Sequence, residues 1–308
     1  MCYSAQVWTD FRKYQRLFGA DASIRDFVDL YVRRAQGEKI KIPKGVDAAF
    51  AKPTTPGEKK IKAAIDDYNQ LQAGVLEAEL FKQVKRLNDA ERTLKTKETK
   101  KALEDQRIAT DKIANGKTKL ADLKRVTLKD RHHRIFPTVY APVMVVEEGK
   151  RVVKPMRYQC RPQGKSAKND VMFPGTYNAR RDSLEKYWKG LFGYSHGLIV
   201  VDQFYENVEG DDGKNKVLQF TPKDDEPMLV ACLWSHWHKE GQEDLLSFAA
   251  ITDDPTPEVA AAGHDRLIMS IRQENVDAWL NPNPSNLDAM YAIFDDRKAV
   301  YYEHRMAA

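Results

Sequence analysis

Cysteine is scarce in this chain: 308 residues contain only Cys2, Cys160 and Cys232, far apart and odd in number. That set excludes a disulfide framework and fits a reducing, cytoplasmic setting. No CxxC pair offers a zinc site. No apolar run approaches the ~20 residues needed to span a bilayer, and no charged stretch followed by an apolar one marks a secretory leader. Net charge is also small, 50 Lys+Arg against 45 Asp+Glu. A balance of +5 does not itself argue for a nucleic-acid partner. No internal repeat is evident.

One segment lacks more. From Glu58 to Asp130 there is no proline and no tryptophan. Apolar residues there recur at helical spacing, at Ile61, Ile65, Tyr68, Leu71 and Val75, then Leu80, Val84, Leu87 and Leu94. The spacing predicts a long helix from about Glu58, a break near Asn115-Gly116, and a shorter return helix to about Leu128. Residues 58–134 hold 20 basic and 13 acidic side chains, leaving 30 against 32 elsewhere. The positive excess therefore belongs to this helical hairpin. It reads as a solvated surface, a phosphate-contact arm or a protein-partner arm. Lys100-Lys101, Lys124-Arg125 and Arg131-His132-His133-Arg134 are its basic clusters.

The remainder is different. A strand is expected at Cys2–Val7 and a helix at Ile24–Arg34. From Ile135 onward the chain is rich in β-branched and aromatic residues. Strands are expected at Val143–Val146, Leu198–Val201, Met228–Trp234 and Leu246–Thr252, and helices at Asp182–Gly190, Pro257–Ala262, Gln273–Leu280 and Asn286–Ile293. The expected fold is α+β, sheet-rich, with an inserted long α-helical hairpin.

Cys2 stands directly after the initiator Met1. Removal of Met1 would leave a 1,2-aminothiol, with an amine of pKa ~7.7–8.0 beside a thiol of ~8.5. Both groups are nucleophiles near neutral pH. Together they select aldehydes: the amine forms a Schiff base and the thiol closes a five-membered thiazolidine ring. Three short blocks offer partners. Tyr177-Asn178-Ala179-Arg180-Arg181 follows Pro174-Gly175; Asn178 can orient a substrate and Arg180 can grip a phosphate. Glu206, beyond the apolar strand Leu198–Val201, is placed for acid–base work. His264, in Gly263-His264-Asp265-Arg266, is a proton shuttle candidate. His236 and His238 share a strand face but have no third metal ligand nearby. Tyr187-Trp188 is a candidate for stacking on bases, whereas Trp234 reads as core. Cys160 and Cys232 read as inert.

In order along the chain, Met1-Cys2, Tyr177-Asn178-Ala179-Arg180, Phe204-Tyr205-Glu206, Ala231-Cys232-Leu233-Trp234 and His264-Asp265-Arg266 resemble the SRAP family of SOS response-associated, abasic-site-processing proteins. The resemblance covers roughly residues 1–35 and 135–300. It implies a catalytic core of residues 1–57 and 131–308, with residues 58–130 as an insertion outside the family pattern. It also implies binding of single-stranded DNA and a covalent cross-link to abasic sites in the DNA damage response. Cys2 would be the nucleophile, Asn178 would position it, and Glu206 and His264 would move protons. Arg180, with Arg181 and Arg266, would contact DNA. No metal or other cofactor is implied. The chain departs from the family where Tyr3-Ser4 replaces Gly-Arg, where Asn207 replaces Trp, and where Leu267-Ile268 replaces Met-Pro.

Two other functions use the same residues. One is an N-terminal-nucleophile (auto)peptidase, a hydrolase for which Glu206 and His264 would serve equally. The other is a non-catalytic DNA- or partner-binding protein whose helical hairpin does the binding beside a vestigial site.

Overall fold

A computed structural model describes residues 3–209, 213–298 and 300–307. Cys2 lies outside the described residues. The chain opens with strand β1 (Ser4–Val7), then helix α1 (Phe11–Phe18), strand β2 (Asp21–Ala22) and helices α2 (Ile24–Ala35), α3 (Lys44–Ala49), α4 (Pro56–Thr96) and α5 (Lys100–Lys124). Next come β3 (Arg134–Ile135), β4 (Tyr140–Glu147), β5 (Lys150–Tyr158), α6 (Asn169–Met172) and β6 (Asn178–Arg180). Strands β7 (His196–Glu209), β8 (Asn215–Pro222), β9 (Met228–Trp237) and β10 (Leu245–Asp253) follow. The chain ends with α7 (Pro257–Ala261), β11 (Leu267–Ile268), α8 (Val276–Leu280), α9 (Leu287–Asp295) and β12 (Tyr302–Met306).

The fold is α+β and sheet-rich, as expected. Five strands close on themselves: β5 pairs with β4, β4 with β7, β7 with β9, β9 with β10, and β10 with β5. The β10–β5 pair is parallel and the others are antiparallel. Closure removes exposed edges from these strands. Alternate residues of all five form one apolar cluster, including Val143, Met156, Ile199, Val230 and Phe248. The opposite faces, with Met144, Leu198, Ala231 and Ile251, are covered by Tyr14 and Phe18 of α1, Trp279 of α8 and Phe294 of α9. β1 and β8 pair with the far half of β7.

The hairpin is present but turns elsewhere than expected. α4 runs unbroken to Thr96, and α5 begins after the extended Lys97, with Thr99 capping it through Ala102 N. Asn115-Gly116 lies inside α5. A Cβ at Gly116 would stand 2.8 Å from Leu80 Cδ2. The missing side chain therefore lets two helices approach rather than breaking one. The start of α4 is fixed by a Thr55–Glu58 capping box and Pro56 in its first turn. Ile61, Ala64 and Ile65 then pack with Phe27, Tyr31, Val46 and Phe50.

The segment 182–190 is not an α-helix either. A 3-10 turn at Arg181–Ser183 is followed by further turns. Leu184, Trp188, Leu191 and Phe192 are all buried there. Their helix-like spacing records burial, and the Arg181 ion pairs to Asp253 and Asp295 hold the entry to the segment. Sequence periodicity also leaves α1, α3, β5, β8 and β12 undetected.

His196 is buried in the helix-covered core, stacked on Trp279 with ring centroids 3.8 Å apart. Its Nε2 accepts from Gly193 N at 2.8 Å, so its Nδ1 carries the proton donated to Trp279 O at 2.9 Å. A second proton would meet the Gly193 N–H. Burial, the largest cause, pushes its pKa down to about 3. The unfolded imidazole protonates near 6.5, so below that pH the unfolded state binds the extra proton and stability is lost as pH falls. Urea denaturation should show His196 contributing a loss approaching ~1.4 kcal/mol per pH unit between about 6.5 and 3. His196→Gln should be less stable at pH 7 yet show a flatter slope over that range. Equal slopes would contradict the assignment.

Candidate active site and nucleic-acid interface

Glu206 reaches its position through an irregularity in β7. β1 pairs Gln6 with Gln203 but Val7 with Val201, leaving Asp202 as the extra residue of a β-bulge. Asp202 is exposed and accepts from Trp8 Nε1 at 2.7 Å. Before the bulge the odd residues Ile199 and Val201 join the cluster inside the strand ring; after it, the even residues Phe204 and Val208 do. Glu206 shares their parity and is fully buried.

His264 arrives from the other side. After α7, Gly263 takes φ +91°, a left-handed conformation that glycine adopts without strain. His264 N then bonds Val259 O at 3.2 Å. Its ring is buried with Nε2 3.1 Å from Glu206 Oε2. Nδ1 lies 2.9 Å from the Arg266 carbonyl oxygen. Nδ1 also lies 3.3 Å from Arg266 N, so it either donates to the carbonyl or accepts from the amide. With the ring proton on Nε2, the imidazole donates to the Glu206 carboxylate in a contact closed off from bulk water.

Asn178 opens β6, which pairs in parallel with β10 at Ala250. It is buried; its Oδ1 accepts from Tyr158 OH at 3.5 Å, and its Nδ2 has no hydrogen-bond partner among the described residues. β11 pairs with β10 at Thr252 and Asp253, where β6 pairs at Thr252. The Asn178 and His264 blocks thus converge on one end of β10. Glu206 and His264 are in direct contact, whereas Asn178 touches neither through a hydrogen bond between their side chains.

The first described residues join this region. Ser4 stands in register with Tyr205, and the Tyr3 ring packs edge-on against Phe136 and Tyr177 at 5.8 and 6.4 Å. Arg134 was legible only as part of a basic cluster. It donates from Nε and Nη2 to Ser4 Oγ at 3.0 and 2.8 Å and lies 3.6 Å from the Tyr205 ring centroid. Burial lowers its pKa and raises that of Tyr205.

Arg180, Arg181 and Arg266 line a single open cleft of about 680 Å³, together with Arg297, Asp182 and Asp253. Arg180 grips Asp182 with both arms of its guanidinium, at 3.0 and 2.8 Å. Arg181 is held by Asp253 and Asp295, while Arg266 lies 3.5 Å from Asp265. The exposed Arg180–Asp182 pair contributes ~0–1 kcal/mol, so a phosphate can displace Asp182 at little cost.

Other expectations change. Trp188 is buried in the core and cannot stack on a base, and Tyr187 packs against it at 4.8 Å. Trp234 is partly buried against the ring interior. His236 and His238 both bond the Asp244 carboxylate, and no group able to hold a metal occurs among the described residues. Cys160 and Cys232 are buried, and burial pushes the Cys160 thiol up to about 12. In the 131–134 cluster, Arg131 pairs with Asp122, His132 accepts from Lys129 N, and His133 bonds Thr9. With Arg134 on Ser4, every side chain of that cluster has a partner within the protein.

The fold thus presents a closed strand ring with a buried carboxylate–imidazole pair and an arginine-lined cleft. Residues 93–305 match the family described as SOS response associated peptidase (SRAP). The chain belongs to that family, and membership implies DNA binding and abasic-site processing in the broad sense. The match takes in the blocks around Asn178, Glu206, Trp234 and His264; Met1-Cys2 lies before it. A search of curated proteins finds no match. Among solved structures, a Bordetella bronchiseptica protein is 18% identical, covering 57% of this chain and 87% of its own, with TM-score 0.48. A Bacteroides thetaiotaomicron protein is 16% identical, covering 57% and 78%, with TM-score 0.49. A phage-related protein from Bordetella bronchiseptica is 17% identical, covering 60% and 85%, with TM-score 0.42. No helix among the described residues is long and apolar enough to cross a membrane.

Arg134 should hold the start of β1. Arg134→Gln removes the two-pronged contact with Ser4 and the stacking on Tyr205. It should cost about 1–2 kcal/mol in denaturation and speed amide exchange over residues 4–7. Unchanged exchange there would remove this role.

Proposed function

We propose that the protein binds single-stranded DNA and captures abasic sites through Cys2 after Met1 is removed. The observation that carries this reading is the buried 3.1 Å contact between Glu206 and His264, next to an arginine-lined cleft. In the sequence Cys2 stands two residues before Ser4, the first residue of β1. We also propose that residues 1–57 and 131–308 act as the catalytic core and residues 58–130 as an appended arm.

An abasic sugar is mostly a closed hemiacetal. Opening it moves a proton from the C1 hydroxyl to the ring oxygen and exposes an aldehyde. The Glu206–His264 pair, with one shared proton, can accept at one site and donate at the other. The Cys2 amine adds to the aldehyde carbon, and loss of water leaves a C=N bond. The Cys2 thiol then adds across it, forming the C–S bond while its proton passes to nitrogen. The net change is aldehyde plus aminothiol giving thiazolidine plus one water. Asn178, with a buried amide Nδ2, would orient the nucleophile or sugar. Arg180, Arg181 and Arg266 would hold flanking phosphates.

Incubation with single-stranded DNA bearing one abasic site should give a heat-stable shifted band. Cys2→Ala should abolish it, and Glu206→Gln should slow it by ~10²-fold or more. Cross-linking by Cys2→Ala would falsify the thiazolidine step. Retention of Met1, read by intact mass, would favour the non-catalytic function, and peptide cleavage without DNA capture would favour the peptidase. Arg180→Ala should weaken binding and reduce the slope of log K against log salt by about 1.

A further inference from the structure

We propose that the far end of the α4–α5 hairpin is a second contact surface for a nucleic-acid phosphate backbone, separate from the arginine cleft. This deepens the DNA-binding reading and rests on it for the partner's identity. Residues 82–101 contain eight basic and three acidic side chains. Arg86 pairs with Asp105, and Arg92 lies near Asp89. The other six, Lys82, Lys85, Lys95, Lys97, Lys100 and Lys101, are exposed and have no ion pair among the described residues.

The rest of residues 58–134 is nearly balanced, with twelve basic and ten acidic side chains, although Lys59, Lys60, Lys117, Lys119 and Lys129 are also exposed without an ion pair among the described residues. Lys62 pairs with Asp66, Lys112 with Glu79, Lys124 with Glu77, and Arg125 and Arg131 with Asp122. Of Lys100-Lys101, Lys124-Arg125 and residues 131–134, only the first has no ion pair among the described residues. Like charges close together on a helix repel, and the net excess is concentrated at this end, five of the seven positive charges in residues 58–134. Lys82, Lys85, Arg86 and Lys101 outnumber Asp89 and Asp105 around a concavity of about 470 Å³ between the helices. Cations from two helices around one hollow suit a phosphate.

Distance separates this surface from the cleft. Tyr68 of α4 is held against α2 by its ring, 4.4 Å from Arg34. From there to Thr96 the helix rises about 40 Å at 1.5 Å per residue. The Debye length in physiological salt is ~8 Å, so these lysines add nothing to the field in the cleft. They act only on what touches them. A strand held in the cleft reaches them only if it is long, at ~3.4 Å per stacked nucleotide.

The test compares single strands of about 6 and about 40 nucleotides by fluorescence anisotropy across a salt series, with the full chain. Wild type should bind the long strand more tightly and with a steeper salt slope. Replacing all six lysines by Gln should cut long-strand affinity at least tenfold and reduce that slope by several, at ~0.7 for each phosphate no longer neutralised. Short-strand binding should stay unchanged, which excludes a general effect of lowered net charge. Circular dichroism should show an intact hairpin, because all six side chains are exposed. Equal long-strand affinity in the two proteins overturns the proposal, as does an equal loss on both strands. Preferential binding of wild type to phosphatidylserine vesicles, lost in the variant while long-strand affinity is kept, overturns it in favour of a membrane surface. Loss of the length advantage supports it even where neither protein cross-links an abasic strand, so the two readings fail separately.

Discussion

The pairing of β7 is the constraint on which the rest of the structure depends. Its first half is held by β9 and touches β4, and its second half is held between β1 and β8. One strand therefore closes the ring and also carries the candidate carboxylate. The N-terminal strand docks beside that carboxylate because Ser4 pairs opposite Tyr205, its immediate neighbour. A one-residue slip of β7 would turn its apolar side chains outward and carry Glu206 with them. Folding and site geometry are the same requirement here.

The hairpin obeys a different constraint. Arg34 is buried between the rings of Tyr31 and Tyr68, 4.6 and 4.4 Å away, with Asp47 at 3.1 Å. Burial raises the Asp47 pKa even with Arg34 beside it. An ion pair this enclosed contributes little net stability, but leaving either partner alone is costly. Its effect is to fix where α4 leaves the body. Beyond that point the helices hold each other through buried Ala90, Ala102 and Ala109 and the Leu80–Gly116 approach. Small residues allow close backbones without a large apolar core, which leaves the outer faces available for charge.

Much of this was legible in the sequence. Strands β4, β7, β9 and β10 are continuous apolar runs because both of their faces are covered, by the ring interior and by helices. The hairpin's existence follows from helical periodicity without proline. Its turn was misplaced because Asn-Gly signals a turn only where the chain is free to reverse, whereas Gly116 serves helix contact. The actual turn relies on Thr99 as a cap, a weaker cue. Strands β8 and β12 are mixed in polarity and pair with each other at the sheet margin, so alternation is diluted. Trp188 looked available for stacking because sequence carries no depth. The basic clusters looked alike, yet only the one at the hairpin tip lacks acidic partners, which lie 9 to 47 residues away for Arg131 and Lys124.

The contact between Glu206 and His264 illustrates where sequence reasoning reaches and where it stops. Alternation across Phe204, Glu206 and Val208 puts a carboxylate on an apolar face, which is a local conflict worth noticing. Yet uninterrupted alternation from Ile199 and Val201 would turn Glu206 away from the ring interior. The bulge at Asp202 reverses that phase, and its cause is tertiary: β1 pairs across it and Trp8 anchors the extra residue. Burying a carboxylate costs several kcal/mol unless a partner compensates. His264 compensates only because Gly263 turns the chain back onto β7. Neither device adds to the apolar core, and each is needed to bring one acid against one base. Two backbone irregularities that converge on a single proton-sharing contact are better explained by chemistry than by stability, since an apolar pair at the same positions would pack at lower cost.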